Sequence, residues 1–139
     1  MRLATLLNHP LTDVLARLGH TDEITVGDAG LPVPNGVPRI DLAVSRGIPQ
    51  LQQVLRPMLE ETAFEAVILA EEIREHSPEM HEQLCALINS VAATRGIDIS
   101  LSYVPHEQFK SRSANSKAVV RTGECTPYAN IILIAGVAF

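Results

Sequence analysis

FEAVILA at residues 64–70, followed by the run from Pro78 to Thr94 and then by Ile97 to Val104, is the stretch that decides the fold. The first segment is short and almost wholly apolar, the pattern of a strand buried on both faces. Between Pro78 and Thr94, the residues Met80, Leu84, Leu87, Ile88 and Val91 recur at helical spacing. Ile97 to Val104 returns to strand character. Strand, helix and strand in succession build a layered α/β fold with a largely parallel sheet.

The alternation continues in both directions. His9 to Leu18 carries Leu11, Val14, Leu15 and Leu18 on one helical stripe, and Gly19 stands where a left-handed C-terminal cap would fall. Glu23 to Gly27 and Arg39 to Val44 read as strands separated by the turn-forming Gly30-Leu31-Pro32-Val33-Pro34-Asn35-Gly36. Leu51, Val54, Leu55, Met58 and Leu59 give a second helical face, interrupted by Pro57, which predicts a kink or a cost of about 3 kcal/mol. A short helix from about His106 separates Ile97–Val104 from a strand at Ala118–Arg121, and Asn130 to Val137 is a final apolar strand. In sheets of this kind, ligands bind where loops leave the carboxyl ends of the strands.

Composition narrows the function. The 139 residues suit one domain spanning 1–139, and 46% hydrophobic against 19% charged residues marks a globular chain with an aliphatic core. The net charge of −5, with no Lys/Arg cluster, argues against nucleic acid and anionic membrane surfaces as partners. The N-terminal Met1-Arg2-Leu3-Ala4-Thr5-Leu6-Leu7-Asn8 is too short and too quickly polar for a signal peptide, and no apolar run is long enough to cross a membrane. With only Cys85 and Cys125, far apart and in no CxxC pair, a reduced, cytoplasmic protein is the simplest expectation.

Four features carry possible chemistry. Gly19-His20-Thr21-Asp22 places a histidine just beyond a helix, and Asp28 closes the following strand; together they could form an oriented acid/base pair, or simply a cap and a turn. The loop Arg121-Thr122-Gly123-Glu124-Cys125-Thr126-Pro127-Tyr128-Ala129-Asn130 offers a phenol and an amide, both able to donate to and accept from hydroxyls, unless it is an ordinary turn with Tyr128 packed on the core. His106 opens a helix with Glu107 and Lys110 nearby, a position that is often inert. The segment from Glu71 to Glu82 could suggest metal, but Pro78 breaks the helix between His76 and His81 and no HExxH is present, so a solvated charged surface is the better account. Cys125 has no base paired with it in sequence, and Gly-rich phosphate loops are absent.

Arg17-Leu18-Gly19-His20-Thr21-Asp22, Asp28-Ala29-Gly30-Leu31-Pro32-Val33-Pro34, Arg39-Ile40-Asp41-Leu42-Ala43, Ala70-Glu71-Glu72-Ile73, His106-Glu107-Gln108-Phe109-Lys110 and the run from Arg121 to Phe139 together resemble the D-ribose pyranase family, close relatives of L-fucose mutarotase. The resemblance covers essentially the whole chain. It implies His20 as the catalytic acid/base, Asp28, His106, Tyr128 and Asn130 as sugar-binding residues, and Lys110 near the site. It also implies D-ribose as substrate, no metal or organic cofactor, and a ring-shaped homo-oligomer, a decamer of two stacked pentameric rings, with sites near subunit boundaries. Gly27, Ala4 and Pro57 depart from the family pattern, and none of them is expected to touch the proposed site. Ring opening needs a proton to leave the anomeric hydroxyl while one reaches the ring oxygen, a task that suits histidine. A sugar-binding module without catalysis, or a structural ring protein, would use the same fold differently.

Overall fold

A computed structural model describes residues 1–139. Its elements run α1 (His9–Arg17), β1 (Glu23–Gly27), β2 (Arg39–Asp41), α2 (Leu51–Glu61), β3 (Phe64–Ala70), α3 (Ile73–His76), α4 (Pro78–Arg95), β4 (Ser100–Val104), α5 (His106–Arg112), a 3-10 turn (Ser113–Asn115), β5 (Val119–Arg121) and β6 (Ile131–Ala135). All six strands form one sheet in the order β2-β5-β1-β6-β3-β4. The pairs β1–β5, β2–β5 and β3–β4 are parallel, whereas β6 runs antiparallel to both β1 and β3. The sheet is therefore mixed. Five strands point one way, and the apolar C-terminal strand reverses direction at the centre of the sheet.

Period-two alternation sorts the core onto two faces. Ile24, Val26, Val67, Leu69, Ile131 and Leu133 point to one face, where the apolar stripes of α1, α2 and α4 cover them in a cluster of 25 buried residues. The opposite face holds a smaller cluster of six: Leu31, Ile68, Ala70, Phe109, Val119 and Ile132. There Phe109 of α5 is the plug. The fold is thus a sheet between unequal helical layers.

Local details differ from expectation in three places. Gly19 is not a left-handed cap: α1 ends through an extended Leu18, and the left-handed residue is Thr21, with φ 68°. Asp22 takes over the capping work, because its carboxylate accepts the Gly19 N–H at 2.8 Å and closes the turn. Helix α2 runs through Pro57 without interruption, its Leu51, Val54, Leu55, Met58 and Leu59 all buried. The final apolar run is only partly core: Ile131, Ile132, Leu133 and Ala135 are buried, but Val137 and Phe139 are exposed. As expected, Pro78 opens a new helix immediately after α3 ends at His76.

Candidate active site

Because β1 to β5 are mutually parallel, their carboxyl ends gather on one edge of the sheet, and β6, being antiparallel, begins there. Asp28 leaves β1 at this edge, His106 opens α5 just after β4, and Tyr128-Ala129-Asn130 leads into β6. Asp28, His106, Tyr128 and Asn130 line a single cleft of about 320 Å³, with Gly30, Leu31, Pro32 and Pro127 as its remaining walls.

Asn130 organises the cleft. Its side chain is buried, and its Oδ1 accepts the backbone N–H of Asp28 at 2.8 Å while its Nδ2 donates to Asp28 Oδ2 at 3.0 Å. The other carboxylate oxygen of Asp28 accepts the Gly30 N–H at 2.9 Å, an Asx turn. Both oxygens are oriented, and each keeps a lone pair for a ligand hydroxyl. Gly27 matters more than its sequence position suggests: a Cβ there would stand 2.9 Å from Asn130 Oδ1 and 2.5 Å from Leu31 Cδ2. That departure from the family pattern does abut the site, contrary to expectation.

Tyr128 adopts φ 60°, a left-handed conformation unusual for a bulky side chain. Its carbonyl accepts the Asn130 N–H at 2.9 Å, and Ser77 Oγ donates to the neighbouring Pro127 carbonyl at 2.6 Å. The phenol ring lies between two imidazoles, with His106 edge-on at 5.0 Å and His76 tilted at 5.2 Å between centroids. His106 in turn stacks on Phe109, and its Nδ1 is buried without a partner in the chain.

Glu72 anchors this wall, since its two carboxylate oxygens accept the His106 backbone N–H at 3.1 and 2.9 Å. Burial pulls the Glu72 carboxyl upward. The His106 and Glu72 backbone N–H groups, with the imidazoles of His106 and His76, outweigh that pull and hold it below the ordinary carboxylate value. Glu72 and His76 belong to the segment expected to be only solvated surface. Most of that segment is indeed exposed, but Glu72, which caps α3, is half-buried and binds the first residue of α5, and the exposed His76 at the end of α3 lies against Tyr128. Lys110 pairs with Glu107 at 2.8 Å and does not line the cleft. Exposed Cys125 makes one hydrogen bond, its Sγ donating to the Gly123 carbonyl, and none to a histidine or carboxylate.

His20 lies elsewhere. It precedes β1, whereas Asp28 follows it, so the two flank opposite ends of a strand about 16 Å long, five residues at roughly 3.3 Å each. The intimate His20–Asp28 pair expected from their nearness in sequence does not form within one chain. The carboxylate that meets His20 is Glu65, with Oε2 3.1 Å from Nε2. Around His20 is a depression of about 480 Å³ walled partly by Leu15, Leu18, Val137 and Phe139. No helix of the chain is long and apolar enough to cross a membrane.

Against known proteins, a D-ribose pyranase of Edwardsiella ictaluri (strain 93-146) is 51% identical over 139 residues, covering all of both chains. One of Escherichia coli O1:K1 is 49% identical with the same coverage. The structure of Bacillus subtilis RbsD complexed with D-ribose superimposes with a TM-score of 0.88 at 45% identity, again covering all of both chains. The fold alone is also shared with the fucose mutarotase of Streptococcus pneumoniae in complex with L-fucose, at TM-score 0.78 and 24% identity over 95% of this chain and 94% of that one. The model of the RbsD / FucU transport protein family matches residues 1–138, and the chain belongs to that family.

Proposed function

We propose that this chain is an intramolecular isomerase that interconverts the β-pyranose and β-furanose forms of D-ribose, acting in the cytoplasm to supply furanose for ribose catabolism. The observation that carries this reading is the full-length match to D-ribose pyranases at 49% to 51% identity. The cleft supplies the chemistry. A pentose needs several hydroxyl partners, and Asp28, Tyr128, Asn130 and His106 converge on one small space with few other polar groups. Opening the ring requires only proton transfers, to which a positioned histidine contributes about 10²- to 10⁴-fold. No metal or organic cofactor enters the scheme.

His20 is too far from the cleft of its own chain, so the acid/base comes from a second subunit. The amino edge of one sheet would face the carboxyl edge of another, as in a closed ring of identical, head-to-tail contacts. Two features support this assembly. Leu3, Leu7, Val137 and Phe139 are exposed apolar side chains, and Val137 and Phe139 flank His20. The family resemblance also implies a decamer of two stacked pentameric rings.

Saturation-transfer NMR of D-ribose with catalytic amounts of protein tests both statements. His20→Ala and Asp28→Ala should each abolish exchange while remaining folded. Unfolded together and reassembled at equal amounts, they should recover about a quarter of wild-type exchange, because a quarter of the sites draw both intact residues. Near-normal exchange by His20→Ala would defeat the catalytic role, and would instead fit a sugar-binding module. No recovery in the mixed assembly would defeat the shared site.

A further inference from the structure

The carboxylate of Glu65 is delivered to His20 by a fault in the sheet. Along the β3–β6 ladder, Phe64 pairs with Ala135 but Ala66 pairs with Ile134, so Glu65 is one residue too many on its strand. Such a bulge bends the strand and re-aims the extra side chain. Here it brings Glu65 Oε2 to 3.1 Å from His20 Nε2. Gly136 leaves the space: a Cβ at that position would stand 3.1 Å from Glu65 Cβ and 3.4 Å from its Oε2.

The histidine is held just as firmly from the other side. Thr21 donates its N–H to the Ala135 carbonyl at 2.8 Å, and Ala135 returns a bond to the Asp22 carbonyl at 2.8 Å. Asp22 closes the turn on Gly19 and pairs with Lys117 at 3.4 Å. Both partners are therefore fixed to backbone ladders at one edge of the sheet, and their contact is a product of strand register.

We propose that Glu65 is a positioning residue for His20, accepting the Nε2–H bond and so selecting the tautomer whose Nδ1 carries the free lone pair. This rests on the reading of His20 as the acid/base. In the ring-opening step, Nδ1 takes the proton of the anomeric hydroxyl, and the C1–O bond to the ring oxygen breaks with its electron pair going to that oxygen. The hydroxyl oxygen becomes the carbonyl of the open aldehyde, and the proton passes from Nδ1 to the former ring oxygen. Glu65 stays a carboxylate throughout and offsets the transient imidazolium charge. The histidine ends as it began, and ring closure on the other hydroxyl reverses the sequence.

The test compares Glu65→Ala, Glu65→Gln and His20→Ala in the D-ribose exchange assay. Both members of the pair are about half exposed, so water screens it and the expected loss of kcat in Glu65→Ala is about tenfold, with KM within about twofold. Glu65→Gln, which keeps an acceptor but not the charge, should lie between the Ala variant and the wild type. Adding Glu65→Ala to His20→Ala should cost nothing more. An unchanged kcat in Glu65→Ala, a loss confined to KM, or a Gln variant no better than Ala overturns the positioning role while His20 stands. Retained exchange in His20→Ala overturns both.

Discussion

Replacing Asn130 by Ala should damage stability and ligand binding through one and the same neighbour. The substitution removes two bonds, from the Asp28 N–H at 2.8 Å and to the Asp28 carboxylate at 3.0 Å. A neutral bond of this kind contributes about 1 kcal/mol and one to an ionised group about 1.5–3 kcal/mol. Asp28 is only half-buried, so water replaces part of the second, and the expected loss is about 2–3 kcal/mol. Urea unfolding at fixed protomer concentration measures it, the concentration being held because assembly would shift the midpoint. Ribose affinity, measured by calorimetry, should fall about tenfold or more, since the freed carboxylate must be ordered again when sugar binds. A double-mutant cycle with Asp28→Ala should show the two changes to be strongly non-additive. Additive effects, or a stability change under about 0.5 kcal/mol with affinity intact, would refute the idea that Asn130 acts by holding Asp28.

Two further outcomes follow from the site's construction. Glu72 is held below its ordinary carboxylate value of 4.5 in the folded chain, so its contribution is present above that pH and is lost as pH falls through the lower folded value. Glu72→Gln should therefore lower stability at neutral pH, change it least in acid where Glu72 is already protonated, and so flatten the acid limb of the profile, with unchanged acid sensitivity the contrary result. Exhaustive chelation should leave ribose exchange untouched, and an EDTA-sensitive activity restored by zinc would contradict the cofactor-free scheme.

Much of this architecture is legible from local pattern. The bounds of β1 and β3 and the start of α5 are read correctly because apolar runs there end abruptly at Gly27–Asp28, Ala70–Glu71 and Pro105–His106. What pattern cannot supply is pairing. The reversed direction of β6 depends on which neighbours it finds, and nothing in Ile131–Ala135 encodes that. The bulge that presents Glu65 is likewise a property of two strands in register, so an isolated glutamate in an apolar strand gives no hint of its role. Glu72 and His76 are hidden for a related reason: they sit among the exposed Glu71, Arg74 and Glu75, and only long-range contacts, Glu72 to the His106 N–H and His76 to the Tyr128 ring, set them apart.

The displacement of His20 from the cleft is a different matter, because elementary geometry contains it. Residues that flank a strand lie at its opposite ends, and β1 occupies all the positions from 23 to 27 between them. The rule that ligands gather at the carboxyl ends of parallel strands selects Asp28 and His106 as residues that follow strands. It adds Tyr128 and Asn130 because β6 runs backwards, and it rejects His20, which precedes its strand. If His20 acts on the sugar held by the other four, one chain cannot hold the complete site. The catalytic requirement and the strand geometry then lead to the same place, a site closed only by a second copy of the chain. In that arrangement the exposed Val137 and Phe139 beside His20 become part of the surface that brings the histidine to its substrate.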